Sequence, residues 1–190
     1  AGAGGKTLLL GAMMRSQGRL YAFDVAEKRL AKLKPRLARS GLSNVHPARI
    51  ESENDSKIKR VAGKLDRVLV DAPCSGLGTL RRNPDLKWRQ TPESVAELTA
   101  KQASILNSAA ALVKSGGRLV YATCSLLEEE NGAVVSSFLA AHPEFSVLSA
   151  SEVLSKQSVE IADFGDGEFL RLLPNRHGTD GFFAAVLARR

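Results

Sequence analysis

Cysteine is scarce here, with two in 190 residues, so a disulfide-stapled secreted scaffold is excluded and a reducing, cytoplasmic compartment is expected. Long apolar runs are missing too. No stretch approaches the roughly 20 residues of a spanning helix. No charged-then-apolar leader opens the chain, so neither export nor a membrane partner is expected. Three histidines and no CxxC pair give no zinc pattern, and no metal is expected. Acids are outnumbered, 20 against 27 Lys and Arg, which leaves +7. That surplus favours an anionic partner, most simply nucleic acid, although a solvated surface can carry as much. Internal repeats and low-complexity tracts are absent, and nothing in the sequence calls for an obligate oligomer, so a monomer is expected.

What is present reads as alternating strands and helices in one domain. The chain opens AGAGGKT, a glycine-rich loop running into a helix over residues 6–15. Such a loop normally follows a buried strand, and that first strand is not in this chain. Arg19 to Phe23 reads as a strand ending at Asp24. Ala26, Leu30, Leu33 and Leu37 recur at helical spacing up to Ser40, with Gly41 as the stop and Pro35 expected to kink or shorten the helix. Val45 to Ile50 is a weak strand, and residues 51–64 a polar loop with at most one helical turn. Arg67 to Asp71 is a buried strand. Residues 93–114 form an amphipathic helix opened by Thr91-Pro92-Glu93 and ended by Ser115-Gly116-Gly117. Arg118 to Thr123 is the next strand, followed by a helix from Glu128 to Ala141. Strands near Glu168–Leu173 and Gly181–Ala188 suggest a hairpin, and residues 149–167 are the least structured stretch. The class is therefore α/β with a mostly parallel sheet and a C-terminal antiparallel hairpin.

In an open α/β sheet ligands gather at the carboxyl ends of strands. Asp24 stands there, about 20 residues past the glycines, where dinucleotide-type folds place an acid on ribose hydroxyls. An aspartate that merely caps the next helix is the plainer alternative. Both cysteines also follow strand ends, in Asp71-Ala72-Pro73-Cys74-Ser75-Gly76 and in Ala122-Thr123-Cys124-Ser125. If the strands are neighbours, the two thiols share a pocket, and a thiolate beside a carboxylic acid suits nucleophilic attack on an electron-poor ring. Two small buried hydrophobes, or a disulfide, are the alternatives. The segment 80–89 holds four basic residues, one acid and the only tryptophan. Arg81, Arg82, Lys87 and Arg89 beside Trp88 make a composition for single-stranded RNA, unless the loop is only basic surface with Trp88 packed into the core. The helix over 27–39 carries six basic residues against one acid, which reads as a solvated face.

Together AGAGGKT, VLVDAPCSGLGTLRRNPDLKWR, LVYATCS and HGTDGFF resemble the S-adenosylmethionine-dependent RNA cytosine-C5 methyltransferases of the RsmB/Sun/Nop group, nearest its bacterial rRNA branch. The resemblance covers nearly the whole chain and implies a Rossmann-like class I methyltransferase domain. It implies that Ala1, Gly2, Ala3, Gly4, Gly5 and Lys6 line the cofactor, with Asp24 on the ribose and Arg29 nearby. Cys124 would add to C6 of cytosine, Cys74 would assist elimination at C5, and Asp71 would lie between cofactor and base and hold N3. The target base must be unpaired or flipped out. Ala3 stands where the family usually has proline. The family's acid after the third strand has no obvious counterpart, and Glu51 is the candidate on the adenine side. Family members also carry an N-terminal RNA-binding part. Two other readings are a P-loop NTPase, from Gly5-Lys6-Thr7 and Val68-Leu69-Val70-Asp71, and a non-catalytic RNA-binding domain of the same fold. The first leaves both cysteines unexplained, and the second leaves their pairing with Asp71 without purpose.

Overall fold

The computed structural model describes residues 1–159, 161 and 167–190. They form two compact units, residues 1–60 and 61–190. Among the described residues no helix is long and apolar enough to cross a membrane.

The first unit runs α1 (Gly5–Met13), β1 (Leu20–Asp24), α2 (Glu27–Ser40), β2 (Val45–Arg49) and α3 (Ser56–Lys59). Strands β1 and β2 pair in parallel, from Leu20 opposite Val45 to Asp24 opposite Arg49. Ala22, Leu30, Leu33 and Val45 are the buried core, with Leu8, Leu20, Leu37 and Leu42 packed around them. Helix α2 continues through Pro35 to Ser40 and stops where Gly41 turns left-handed, φ 68°. The proline does not shorten it. Pro35 is exposed, so its ring disturbs no packed neighbour. Burying an aliphatic side chain contributes about 1.5–3 kcal/mol, and the Leu30, Leu33 and Leu37 stripe is enough to offset a proline cost of about 3 kcal/mol.

The glycine loop is fitted onto that core. Gly4 has φ 97°, and a Cβ there would come within 2.3 Å of Leu33 Cδ1. Asp24 ties the loop to the end of β1. Its Oδ2 accepts from the Gly2 amide at 2.6 Å and the Ala1 ammonium at 3.2 Å, and its Oδ1 from the Ala26 amide at 2.7 Å. Arg36 of α2 adds a donor to the Ala3 carbonyl at 3.1 Å.

The second unit runs β3 (Leu65–Asp71), α4 (Leu86–Arg89), α5 (Pro92–Ala110), β4 (Val113–Thr123), α6 (Gly132–Ala141), β5 (Phe145–Leu148), α7 (Ala150–Ser155), β6 (Leu170–Leu172), α8 (Pro174–His177) and β7 (Phe182–Arg189). The sheet order is β3-β4-β7-β5, with β6 also on β7. Strands β3 and β4 are parallel, and β7 is antiparallel to β4, β5 and β6. Every strand but β7 therefore shares one direction, and the expected mostly parallel α/β sheet with an antiparallel C-terminal strand is what forms. Leu106, Val113, Leu119, Tyr121, Val135, Phe138, Phe183 and Leu187 fill the core.

Several boundaries differ from the sequence reading. The helix expected over 93–114 ends at Ala110, and β4 begins at Val113 opposite Leu65. Ser115, Gly116 and Gly117 lie in an irregular part of that strand, where pairing jumps from Leu65–Val113 to Arg67–Arg118. The apolar stripe ran on because Leu112 and Val113 are buried in the sheet instead of on the helix. The helix expected from Glu128 is broken: a 3-10 turn covers Glu128–Glu130, Asn131 departs from helical geometry, and α6 starts at Gly132. Strand β5 went unrecognised because Phe145 to Leu148 is short. Helix α7, capped by Ser149, lies inside the stretch expected to be unstructured. The rest of that stretch falls partly outside the described residues. The late hairpin forms, with α8 between its strands.

Three loops meet through backbone. The Gly78 amide donates to the Cys124 carbonyl at 2.8 Å, and the Gly181 amide donates to the Gly78 carbonyl at 2.7 Å. A Cβ on Gly78 would lie 2.3 Å from Gly181 O and 2.7 Å from Cys124 O. Neither obstacle is a flexible side-chain end.

Two predictions follow from this packing. Gly78→Ala is expected to cost about 1–3 kcal/mol of stability, read as a lowered midpoint in urea. Burial alone would raise the Asp24 pKa, but the amides of Ala26 and Gly2 work against it, and the carboxyl lies below its ordinary 3.8. A depressed folded-state pKa contributes stability above the unfolded value that is lost as pH falls through the folded one. Asp24→Asn is therefore expected to flatten the acid limb of a stability-against-pH curve below pH 3.8, leaving it less steep than in the wild type.

Candidate active site

The parallel register of β3 and β4 sets Asp71 opposite Ala122, and the Ala72 amide extends the ladder to the Ala122 carbonyl at 2.9 Å. The two chains thus leave the sheet side by side at the same level. Cys74 follows three residues after Asp71, and Cys124 two residues after Ala122. Their sulfur atoms are 3.3 Å apart and half-buried, and neither is oxidised to a disulfide. The pairing expected from sequence is present, and no disulfide joins them. The hydrogen bond to Cys124, then burial, then charge on the Cys124 sulfur push the Cys74 thiol far up. Cys74 is accordingly held as a thiol. Asp71 is exposed at the strand end.

Directly behind the thiols lies an arrangement the sequence reading missed. Each cysteine is followed by a buried serine, and both serine hydroxyls donate to Oε2 of Glu130: Ser75 at 2.5 Å, and Ser125 through a short contact. The two hydroxyl oxygens are 3.2 Å apart. Glu130 Oε1 accepts from the Ser75 amide at 2.8 Å and from Gln102 Nε2 at 3.0 Å. The serines are used alike, since Ser75 Oγ also accepts from the Leu77 amide and Ser125 Oγ from the Leu127 amide. Such serine turns fix the backbone two residues on. Glu130 is 0% exposed.

The 3-10 turn carrying Glu130 is itself held. Tyr121 donates its hydroxyl to the Glu130 carbonyl at 2.7 Å, Thr123 donates to Asn131 Oδ1 at 2.6 Å, and Asn131 Nδ2 donates to the Ser125 carbonyl at 3.1 Å. Burial, then the charges of Cys74 and Glu130, raise the Tyr121 hydroxyl well above its ordinary range, so it stays a donor. Gln102 spends both amide hydrogens, on Glu130 and on the Pro73 carbonyl at 2.9 Å, and its own oxygen is left without a partner. Turning the amide over would set oxygen against oxygen on both. The signal available in the sequence was Asn131-Gly132 after three acids, a breaker pair that argues against one continuous helix.

The basic loop is only partly turned outward. Arg81 donates to the Gly178 carbonyl at 2.9 Å, Arg82 pairs with Asp180, and Arg89 pairs with Asp85 at 2.7 Å. Trp88 is 80% exposed with Lys87 Nζ 4.8 Å above its ring, so the tryptophan does not pack into the core. Gln90 ties the loop's end to the Ser75 carbonyl at 3.0 Å.

In the first unit, α1 starts at Gly5 with no side-chain cap. A Cβ on Gly2 or Gly5 would meet nothing within 4 Å, so the loop's backbone faces open space. Asp24 accepts from the amides of Gly2 and Ala26, short of the roughly four acceptor positions of a carboxylate. Lys6 and Arg29 are exposed. Glu51 is exposed and paired with Arg49 at 3.3 Å, while Asp55, passed over in the sequence, caps α3 and accepts from the Glu51 amide at 2.9 Å. Among the described residues no cluster of His, Cys, Asp and Glu could hold a metal ion.

Comparison with known proteins identifies the family. The family profile described as 16S rRNA methyltransferase RsmB/F matches residues 1–188. A probable ribosomal RNA small subunit methyltransferase B of Synechocystis sp. is 40% identical over 100% of this chain and 42% of its own length. Its namesake in Bacillus subtilis is 35% identical, over 100% of this chain and 42% of its own length. The chain therefore spans about two fifths of the length of these relatives. Two solved structures from Pyrococcus horikoshii are similar. NSun6 with SFG has TM-score 0.82 and 29% identity, covering 100% of this chain and 46% of that one. A methyltransferase homolog protein has TM-score 0.76 and 32% identity, covering 98% of this chain and 58% of that one. With a profile match over nearly its whole length, the chain belongs to the RsmB/F family of 16S rRNA methyltransferases.

Proposed function

We propose that this protein methylates C5 of a cytosine in ribosomal RNA through a covalent adduct between Cys124 and C6, with S-adenosylmethionine as methyl donor. The observation that carries the reading is the pair of thiols 3.3 Å apart at the ends of neighbouring parallel strands. C5 of cytosine is a poor nucleophile. Addition of the Cys124 thiolate to C6 pushes the C5–C6 π electrons onto C5 and toward N3, where a proton passed from the Asp71 carboxyl neutralises the developing charge and returns to Asp71 when the adduct collapses. After methylation C5 carries both a methyl group and a hydrogen. Cys74 removes that hydrogen as a proton, the double bond re-forms, the C6–S bond breaks and Cys124 leaves as thiolate.

The electrostatics of the pair suit this order. Cys74 is held protonated by its hydrogen bond to Cys124, by burial and by the charge there. Once the Cys124 sulfur is a neutral thioether, the first and last of these vanish and only burial remains. Cys74 then gives up its proton to solvent more readily and becomes the base when the base is needed.

S-adenosylmethionine supplies an electrophilic methyl group when bound. The first unit fits it. Gly2, Gly4 and Gly5 keep the loop free of side chains, Ala3 offers only a small one, and the uncapped start of α1 presents backbone N–H groups beside Lys6. A further acceptor position of Asp24 suits a ribose hydroxyl, and the family resemblance sets Arg29 near it. Trp88, exposed and beside Lys87, offers a stacking face for an unpaired base, with Arg81, Arg82 and Arg89 fixing the loop and lending it charge.

Covalent trapping tests the assignment. The 190-residue chain is incubated with S-adenosylmethionine and a cytosine-containing rRNA fragment and run on a denaturing gel. Cys74→Ala is expected to accumulate a protein–RNA adduct, and Cys124→Ala to form none. An adduct that persists in Cys124→Ala would overturn the roles.

A further inference from the structure

We propose that Glu130 is a positioning residue for the two-thiol reaction, its buried carboxylate setting the distance between Cys74 and Cys124 by clasping the serine that follows each. This rests on the methyltransferase reading above. The clasp lies one residue from each sulfur. Oε2 takes the hydroxyls of Ser75 and Ser125, and Oε1 takes the Ser75 amide, so one rigid group is bonded to both cysteine loops. The group cannot drift. It is 0% exposed, Gln102 Nε2 holds Oε1, and Tyr121 holds its main-chain carbonyl. Charged acceptors make the stronger hydrogen bonds, so the carboxylate binds the two hydroxyls better than an amide or a water would.

A nucleophile and a base that must act in turn on adjacent carbons of one ring need a fixed separation. The loops bearing them are distant in sequence, the cysteines standing 50 positions apart. The sheet brings the strand ends level, but only up to Ala72 and Ala122. Beyond that point, besides the contact of the two thiols themselves, the Gly78 amide on the Cys124 carbonyl and the Glu130 clasp join the loops.

The test reads the thiol spacing itself, without RNA. Phenylarsine oxide bridges two close thiols through its arsenic and releases one water, so tight capture requires both sulfurs within reach. The 190-residue chain should capture it tightly, and Cys124→Ala should mark the single-thiol baseline. Glu130→Gln sets an amide against two hydroxyls that both donate. This variant, and the double variant Ser75→Ala with Ser125→Ala, should stay folded by circular dichroism yet lose about 100-fold in capture affinity, as a lost chelate does. In turnover the same variants should lower kcat about 100-fold, the cost of a misplacement of about 1 Å. Their KM for RNA should remain near that of the wild type. Should Glu130→Gln not fold, the serine variant decides. Wild-type capture in a folded variant, or a raised KM with unchanged kcat, would overturn the proposal. Loss of capture in the variants, with no RNA adduct in any protein, would leave the clasp standing and remove the methyltransferase reading instead.

Discussion

A carboxylate withdrawn from water is costly unless hydrogen-bond donors surround it. Glu130 meets that condition with four, two from Ser75 and one each from Ser125 and Gln102. The requirement runs in both directions. Buried serine hydroxyls need an acceptor as much as the carboxylate needs donors, so loops that share no sequence neighbourhood are compelled to converge. Removing any member would strand the others in a dry site, where an unmet polar group costs about 1–3 kcal/mol. The break at Asn131 that interrupts the helix is what turns the Glu130 side chain inward, and Tyr121, Thr123 and Asn131 hold the break in place.

Around this centre the second unit relies on backbone where side chains would not fit. Gly78 and Gly181 stack the loops after β3 and before β7 onto the Cys124 carbonyl. The first unit uses the same economy. There Gly4 rests on Leu33, and the Asp24 carboxylate gathers the amides of Gly2 and Ala26. In both units a strand ends and an acid or a carbonyl is held by main-chain donors. The cysteine and glycine loops thus stand on backbone tied by main-chain hydrogen bonds, the preorganisation that the proposed catalysis requires.

The sequence made some of this legible. Alternating apolar strands and amphipathic helices gave the α/β class, and the placement of Cys74 and Cys124 just past two strand ends predicted their meeting once β3 and β4 were neighbours. Local chemistry was readable at Gly41 and at Thr91-Pro92. Two kinds of feature were not. Helix α5 and β4 join through residues whose apolar character suits either element, so only the pairing of Val113 with Leu65 ends the helix at Ala110. Glu130 looked like one acid of three at a helix start. Its burial depends on partners 55 and 28 residues away, Ser75 and Gln102, and no local pattern carries that information. Trp88 could be placed on a basic loop, but only the structure turns it to solvent.

Amide hydrogen exchange at Ser75 tests the central claim most directly, because its N–H belongs to a loop and yet donates to Glu130 Oε1 at 2.8 Å in the dry interior. If the clasp is the fixed centre of the second unit, this amide exchanges only through global unfolding, as slowly as the β4 core amides of Leu119 and Tyr121. Exchange at the rate of an open surface loop would contradict the account and leave the two cysteines without a common anchor.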